Sequence, residues 1–188
     1  MALSTLLLCA VMWLWWTRFD ELAYHTWADK TLIDIGNATS FVSKREEIPK
    51  NSFVEVSGIL GNKAASISGL RAGSFRYGRF QVRHLLGSKL YVEYDEKKYH
   101  NKWNPYTRID VKGRLTDFGP GSELERVRKF FSDYYHQRVD DEAMLIVVDE
   151  APRTNFIYLA LFLVSMTLVV LSLYSSIRLL VMPPSNDV

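Results

Sequence analysis

SFVEVSGIL, residues 52–60, sets the reading of this chain: Phe53, Val54, Val56 and Ile59 are β-formers in a short run that ends at a Gly-Asn pair, Gly61-Asn62. KAASISGL, residues 63–70, reads as the return strand of a hairpin across that pair. FRYGRFQVRHLL, residues 75–86, alternates apolar Phe75, Tyr77, Phe80 and Val82 with Arg76, Arg79, Gln81 and Arg83, and Gly78 breaks the phase. KLYVEYD, residues 89–95, follows a Gly87-Ser88 turn and sets Leu90, Val92 and Tyr94 against Tyr91 and Glu93. TRIDVKGRL, residues 107–115, alternates again, and Gly119-Pro120-Gly121 stops it. AMLIVV, residues 143–148, is a continuous apolar run, as expected of a buried strand.

One helix is signposted between the last two strands. Ser122 and Glu125 have capping-box spacing, and Leu124, Val127, Phe131 and Tyr134 or Tyr135 recur at helical intervals with Phe130 beside them. Arg126, Arg128, Lys129 and Asp133 fill the other face. Short strands with glycines at the corners predict a small β-barrel of the oligonucleotide/oligosaccharide-binding type (OB-like), or a β-roll, because closure removes exposed edges. This domain occupies residues 51–150. A partly helical connector, residues 18–50, precedes it, with Phe19, Leu22, Ala23 and Trp27 at helical spacing.

The apolar residues concentrate outside that domain. Met1–Thr17 carries no charged side chain and closes on Trp13, Trp15 and Trp16; Asn155–Ile177 is uncharged, with Arg178 after it and Pro183-Pro184 beyond. The expectation is a membrane-anchored α+β protein. Residues 1–17 form a first transmembrane helix, retained rather than cleaved, residues 155–180 form a second, and 181–188 are a tail. Trp13, Trp15, Trp16 and Arg178 then serve as membrane-interface anchors. The expected localisation is integral and two-pass. The termini are cytoplasmic and the central domain is extracytoplasmic, with a bacterial inner membrane favoured.

Chemistry is sparse. Net charge is +2, so no overall field favours nucleic acid. The lone cysteine, Cys9, leaves the middle of the chain without a disulfide or a cysteine-based zinc site. No two of His25, His84, His100 and His136 stand at zinc-ligand spacing, and no nucleophile elbow or phosphate loop is present. The carboxylates are scattered. These observations predict no catalytic residue, no metal and no cofactor, with His100 as the one candidate contact should a haem or lipid bind. Phe130, Tyr134 and Tyr135 are the candidate partner contacts.

The order of features resembles the Surfeit-locus family of cytochrome oxidase assembly proteins. The similarity is carried by Val54-Glu55-Val56-Ser57-Gly58, Gly78 opening a strand, Tyr91-Val92-Glu93, and Ile109-Asp110-Val111-Lys112-Gly113-Arg114-Leu115. The family's asparagine-arginine-glycine-tryptophan stretch has Tyr94-Asp95-Glu96-Lys97 in its place, and this chain is shorter. The resemblance implies an anchored β domain that assists a larger, respiratory membrane complex. The expected function is therefore a non-catalytic accessory or assembly subunit whose partners are the membrane and other membrane-protein subunits. The alternative is a haem- or lipid-binding module.

Overall fold

Five consecutive apolar residues, Met144–Val148, form a strand with every side chain buried, because both of its faces are covered. Met144, Ile146 and Val148 join one core; Leu145 and Val147 join another on the opposite face. The computed structural model describes residues 2–26, 31–71, 76–119, 124–152 and 156–181. The chain divides into two units, Ala28–Pro152 and the pair Met1–Trp27 with Arg153–Val188.

The first unit is a six-stranded mixed sheet of β1 (Leu32–Asn37), β2 (Phe53–Arg71), β3 (Arg76–Leu85), β4 (Leu90–Asp95), β5 (Arg108–Asp117) and β6 (Met144–Val148). The strand order is β1-β2-β3-β4-β6-β5, and β2 also pairs with β5. Two neighbour pairs, β1–β2 and β4–β6, are parallel; the others are antiparallel. The helices interleave as α1 (Ala2–Thr26), α2 (Phe41–Lys44), α3 (Glu96–Tyr99), α4 (Glu125–Tyr135) and α5 (Phe156–Val181).

This arrangement corrects the expected small barrel or β-roll to a six-stranded mixed sheet. A hairpin-by-hairpin reading joins sequence neighbours antiparallel, and it misses both parallel pairs. It also misreads β2. Gly61-Asn62 is not a hairpin turn but a bulge inside one continuous strand, where the register slips between Leu60 and Ala64. Residues Phe53–Ile59 pair with β5, and Ala64–Arg71 pair with β3. Gly61 makes the hand-over possible, since a Cβ there would stand 3.0 Å from the His84 carbonyl oxygen. β1 falls within the expected connector; only Ile35 of its six residues is fully buried, too few for an alternating pattern.

The first core gathers Ile35, Val54, Val56, Leu90, Val92, Val111, Leu115 and Ile146 under α2, with Phe41 and Ile48 added from the segment after β1. Tyr99 and Trp103, from α3 and the loop after it, cover its margin and pack with Tyr94 at centroid distances of 6.0 and 4.9 Å. The second core lies beneath α4 and includes Ala65, Val82, Tyr91, Phe118, Leu124, Val127, Phe131, Leu145 and Val147. Arg114 and Glu150 are both buried and stand 3.5 Å apart; Arg114 also donates to the Asn51 side chain at 2.8 and 3.0 Å. A buried pair of this kind costs desolvation and gains specificity of register. Here it ties the entry of β2 to the exit of β6.

In the other unit, Trp15 on α1 donates its indole N–H to Ser165 Oγ on α5 at 2.6 Å, and its ring meets Phe162 edge-on at 5.0 Å. Trp13, Trp16 and Arg178 are exposed, as are Leu161, Leu163, Leu168 and Leu171 along α5. Among the described residues no helix is long and apolar enough to cross a membrane. The two transmembrane helices, the two-pass integral localisation with cytoplasmic termini, and the extracytoplasmic, inner-membrane placement of the domain are therefore corrected. The apolar run of α1 stops at Thr17, and Arg18, Asp20, Glu21 and His25 occupy its last turns. The interface role expected of Trp13, Trp15, Trp16 and Arg178 depended on those spans.

The tightest approach in the sheet is at Gly113, where a Cβ would lie 2.2 Å from the Val147 carbonyl oxygen. Gly113→Ala should force β5 from β6 and cost about 3 kcal/mol or more, read as a fall in the urea midpoint. Gly78→Ala, whose added methyl meets only Phe80 at 3.7 Å, should change stability by less than about 1 kcal/mol.

Candidate protein-docking face

α4 has two unlike faces. Leu124, Val127 and Phe131 enter the second core, spaced as one stripe of a 3.6-residue helix. Leu124 occupies the N-cap without a side-chain hydrogen bond, and the expected capping residue Ser122 lies outside the described residues. Arg128, expected among the solvated polar residues, turns inward. Its guanidinium donates to the Phe118 and Val139 carbonyls at 3.2 Å and to Asp141 at 2.9 Å, stapling the loops on either side of the helix.

The outward face carries Arg126, Lys129, Phe130, Asp133 and Tyr134, around a shallow depression of about 460 Å³. Phe130 is 39% exposed and Tyr134 69%. Four residues apart, they meet one turn above the other and stack at 5.2 Å with an interplanar angle of 11°. The result is a flat aromatic ledge rimmed by two cations and one carboxylate.

Tyr135 is not part of the open ledge. Its hydroxyl donates to the Ala64 carbonyl at 3.0 Å, and the Lys63 ammonium lies 5.7 Å from its ring while donating to the Tyr135 carbonyl at 3.1 Å. It braces the ledge from beneath, edge-on to Phe130 at 5.6 Å and to Tyr134 at 5.1 Å. The helix then stops at His136, whose φ of 50° is left-handed, a conformation that costs a non-glycine residue energy. Gln137 N–H returns to the Phe131 carbonyl at 3.0 Å.

His100 is exposed at the end of α3, where its backbone N–H donates to the Glu96 carbonyl. Among the described residues no group of three or more His, Cys, Asp or Glu is placed to hold a metal ion. A second, charged cleft runs past Arg45, Glu46, Lys50, Asp117, Asp141 and Glu142. Three of its acids are already matched: Asp117 to Lys50 at 2.7 Å, Asp141 to Arg128 at 2.9 Å, and Glu142 to Lys89 at 2.7 Å.

Tyr91 and His84 lie under the end of α4 and were not legible as a pair. Their rings pack at 4.8 Å, and Gln137 donates to the Tyr91 hydroxyl at 3.3 Å. Burial pushes the Tyr91 phenol up to about 12, against the Gln137 hydrogen bond and the Arg128 charge, which lower it. An unfolded chain ionises this tyrosine near pH 10, so the folded state loses stability as pH climbs from about 10 through about 12. Tyrosinate absorbance should show a late-titrating group that Tyr91→Phe removes, and the variant's stability should fall less steeply across that window.

No protein-family model matches this sequence, and neither the curated proteins nor the solved structures hold a match to it.

Proposed function

We propose that this protein is a non-catalytic accessory or assembly subunit of a larger protein complex, and that α4 is the face through which it docks. The observation that carries this reading is the Phe130–Tyr134 stack, two large aromatic side chains held outward on a helix whose opposite face is fully committed to the core. Aromatic residues supply wide contact area with few rotamers to freeze, which is why they concentrate in binding hot spots. A monomer gains nothing from holding both in water.

The rim chemistry describes the partner. Arg126 and Lys129 outnumber Asp133, so the ledge suits a protein segment with an apolar centre and acidic flanks. The apolar side chains left uncovered along α5 are a second surface of the kind that assemblies bury. An accessory role is also what the resemblance to the Surfeit-locus assembly family implies.

Mild purification from the native source, with quantitative mass spectrometry, tests the reading. The wild-type protein should carry a stoichiometric partner set, and the double variant Phe130→Ala/Tyr134→Ala should lose it by tenfold or more, on the order of 2 kcal/mol at a hot spot. Both substitutions are on the exposed face, so the urea midpoint should stay within about 0.5 kcal/mol of wild type. A lone, monodisperse monomer, or undiminished capture by the double variant, sinks the proposal.

A further inference from the structure

We propose that His84 is an acid-sensitive fastener for the C-terminal end of α4, holding the docking face in place at neutral pH and loosening it on acidification. The inference rests on the docking reading for its purpose, not for its geometry. His84 Nε2 lies 2.7 Å from the Ser88 carbonyl oxygen. A carbonyl can only accept, so Nε2 carries the ring proton and Nδ1 is left as an acceptor. Nδ1 faces the Gln137 side-chain nitrogen at 3.5 Å, and that same nitrogen donates to the Tyr91 hydroxyl at 3.3 Å. One amide, two residues past the last residue of α4, thus joins the helix to β3 and β4.

A second proton on His84 changes the arrangement. Nδ1–H would point at the amide's own NH₂ group, so Gln137 must turn its oxygen to the ring or leave. The imidazolium would also be half-buried against Tyr91, and among the described residues no carboxylate pairs with it. Around it, β2 contributes Lys63, held by the Tyr135 carbonyl, and β3 contributes Arg83, turned to Gln81 and the Gly61 carbonyl. β4 contributes Tyr91, and Lys89 stands just before it; α4 contributes Arg128, held by Asp141. The segment after α4 contributes His136, Arg138 and Asp140, whose carboxylate is taken by Lys89 at 3.1 Å. Burial lowers the His84 pKa from its ordinary value, outweighing the Ser88 carbonyl, which raises it. Opening is therefore favoured as pH falls below about 6.5, and its equilibrium can change by up to about tenfold per pH unit between the open-state and closed-state pKa values.

Amide hydrogen exchange on the full chain, from about pH 7.5 to about pH 5 and corrected for the intrinsic exchange rate, reads this directly. Protection at Tyr135 and Gln137 should fall several-fold on acidification while Val92 and Ile146 hold. His84→Phe, which keeps an aromatic ring on Tyr91 but cannot titrate, should abolish that pH dependence. A direct NMR titration of the His84 ring in the wild-type chain serves if the variant does not fold, and it should place the ring below its ordinary value. A ring titrating at or above that value, pH-independent protection at the end of α4, or unchanged pH dependence in His84→Phe would each overturn the fastener. None of these readouts needs a partner, so a failed capture experiment would remove the docking reading and leave this one standing or falling alone.

Discussion

Two-sided burial of β6 is the constraint on which the sheet domain depends. A strand covered on both faces must pair on both edges, or its backbone amides and carbonyls are stranded away from water. β6 meets that demand by lying parallel to β4 and antiparallel to β5. Its alternate residues then serve two cores at once, the one under α2 and the one under α4. Gly113 is the steric condition for this, because no side chain fits between β5 and the Val147 carbonyl. Arg114, beside it, uses the same closeness to reach Glu150 and Asn51.

The functional argument inherits this geometry. α4 lies on the core that Leu145 and Val147 help to build, and its inner stripe is spent there. What remains outside is the Phe130–Tyr134 ledge. At the end of the helix polar contacts add to the packing of Tyr135 on the core: Tyr135 to Ala64, Lys63 to Tyr135, and Gln137 to Tyr91 and His84. Among these contacts the one between Gln137 and His84 joins groups whose donor and acceptor roles change when the imidazole takes a second proton.

Much of the sheet was legible because burial leaves a pattern. The continuous apolar run at Met144–Val148 and the stripe of α4 both follow from periodicity. Other features left no pattern to read. β1 buries one side chain fully, too few to alternate. The Gly61-Asn62 pair has the composition of a turn, and only the partner strand reveals that it is a bulge. Tyr91 and Glu93 fall on the polar phase of β4, yet both are buried, and Tyr91 belongs to the core beneath α4. Charge misleads in the same way at Arg114 and Glu150, buried with partners far away in sequence, and at Arg128, which turns inward to the loops on either side of its helix. On α4 the sequence offers Tyr134 and Tyr135 as equals; the Ala64 carbonyl and Lys63 separate the braced tyrosine from the open one.

The bulge at residues 61–63 has a consequence for how the domain assembles. β2 is one strand in space but two in time. Its second half meets β3 across a short connection, so that pairing closes a small loop and loses little chain entropy. Its first half must wait for β5, with Ile59 opposite Arg108 and Phe53 opposite Arg114, after β3, β4 and α3 have been laid down. Non-local pairing of this kind is slow relative to a hairpin. The glycine that lets β2 change neighbours therefore also divides it into an early half and a late half.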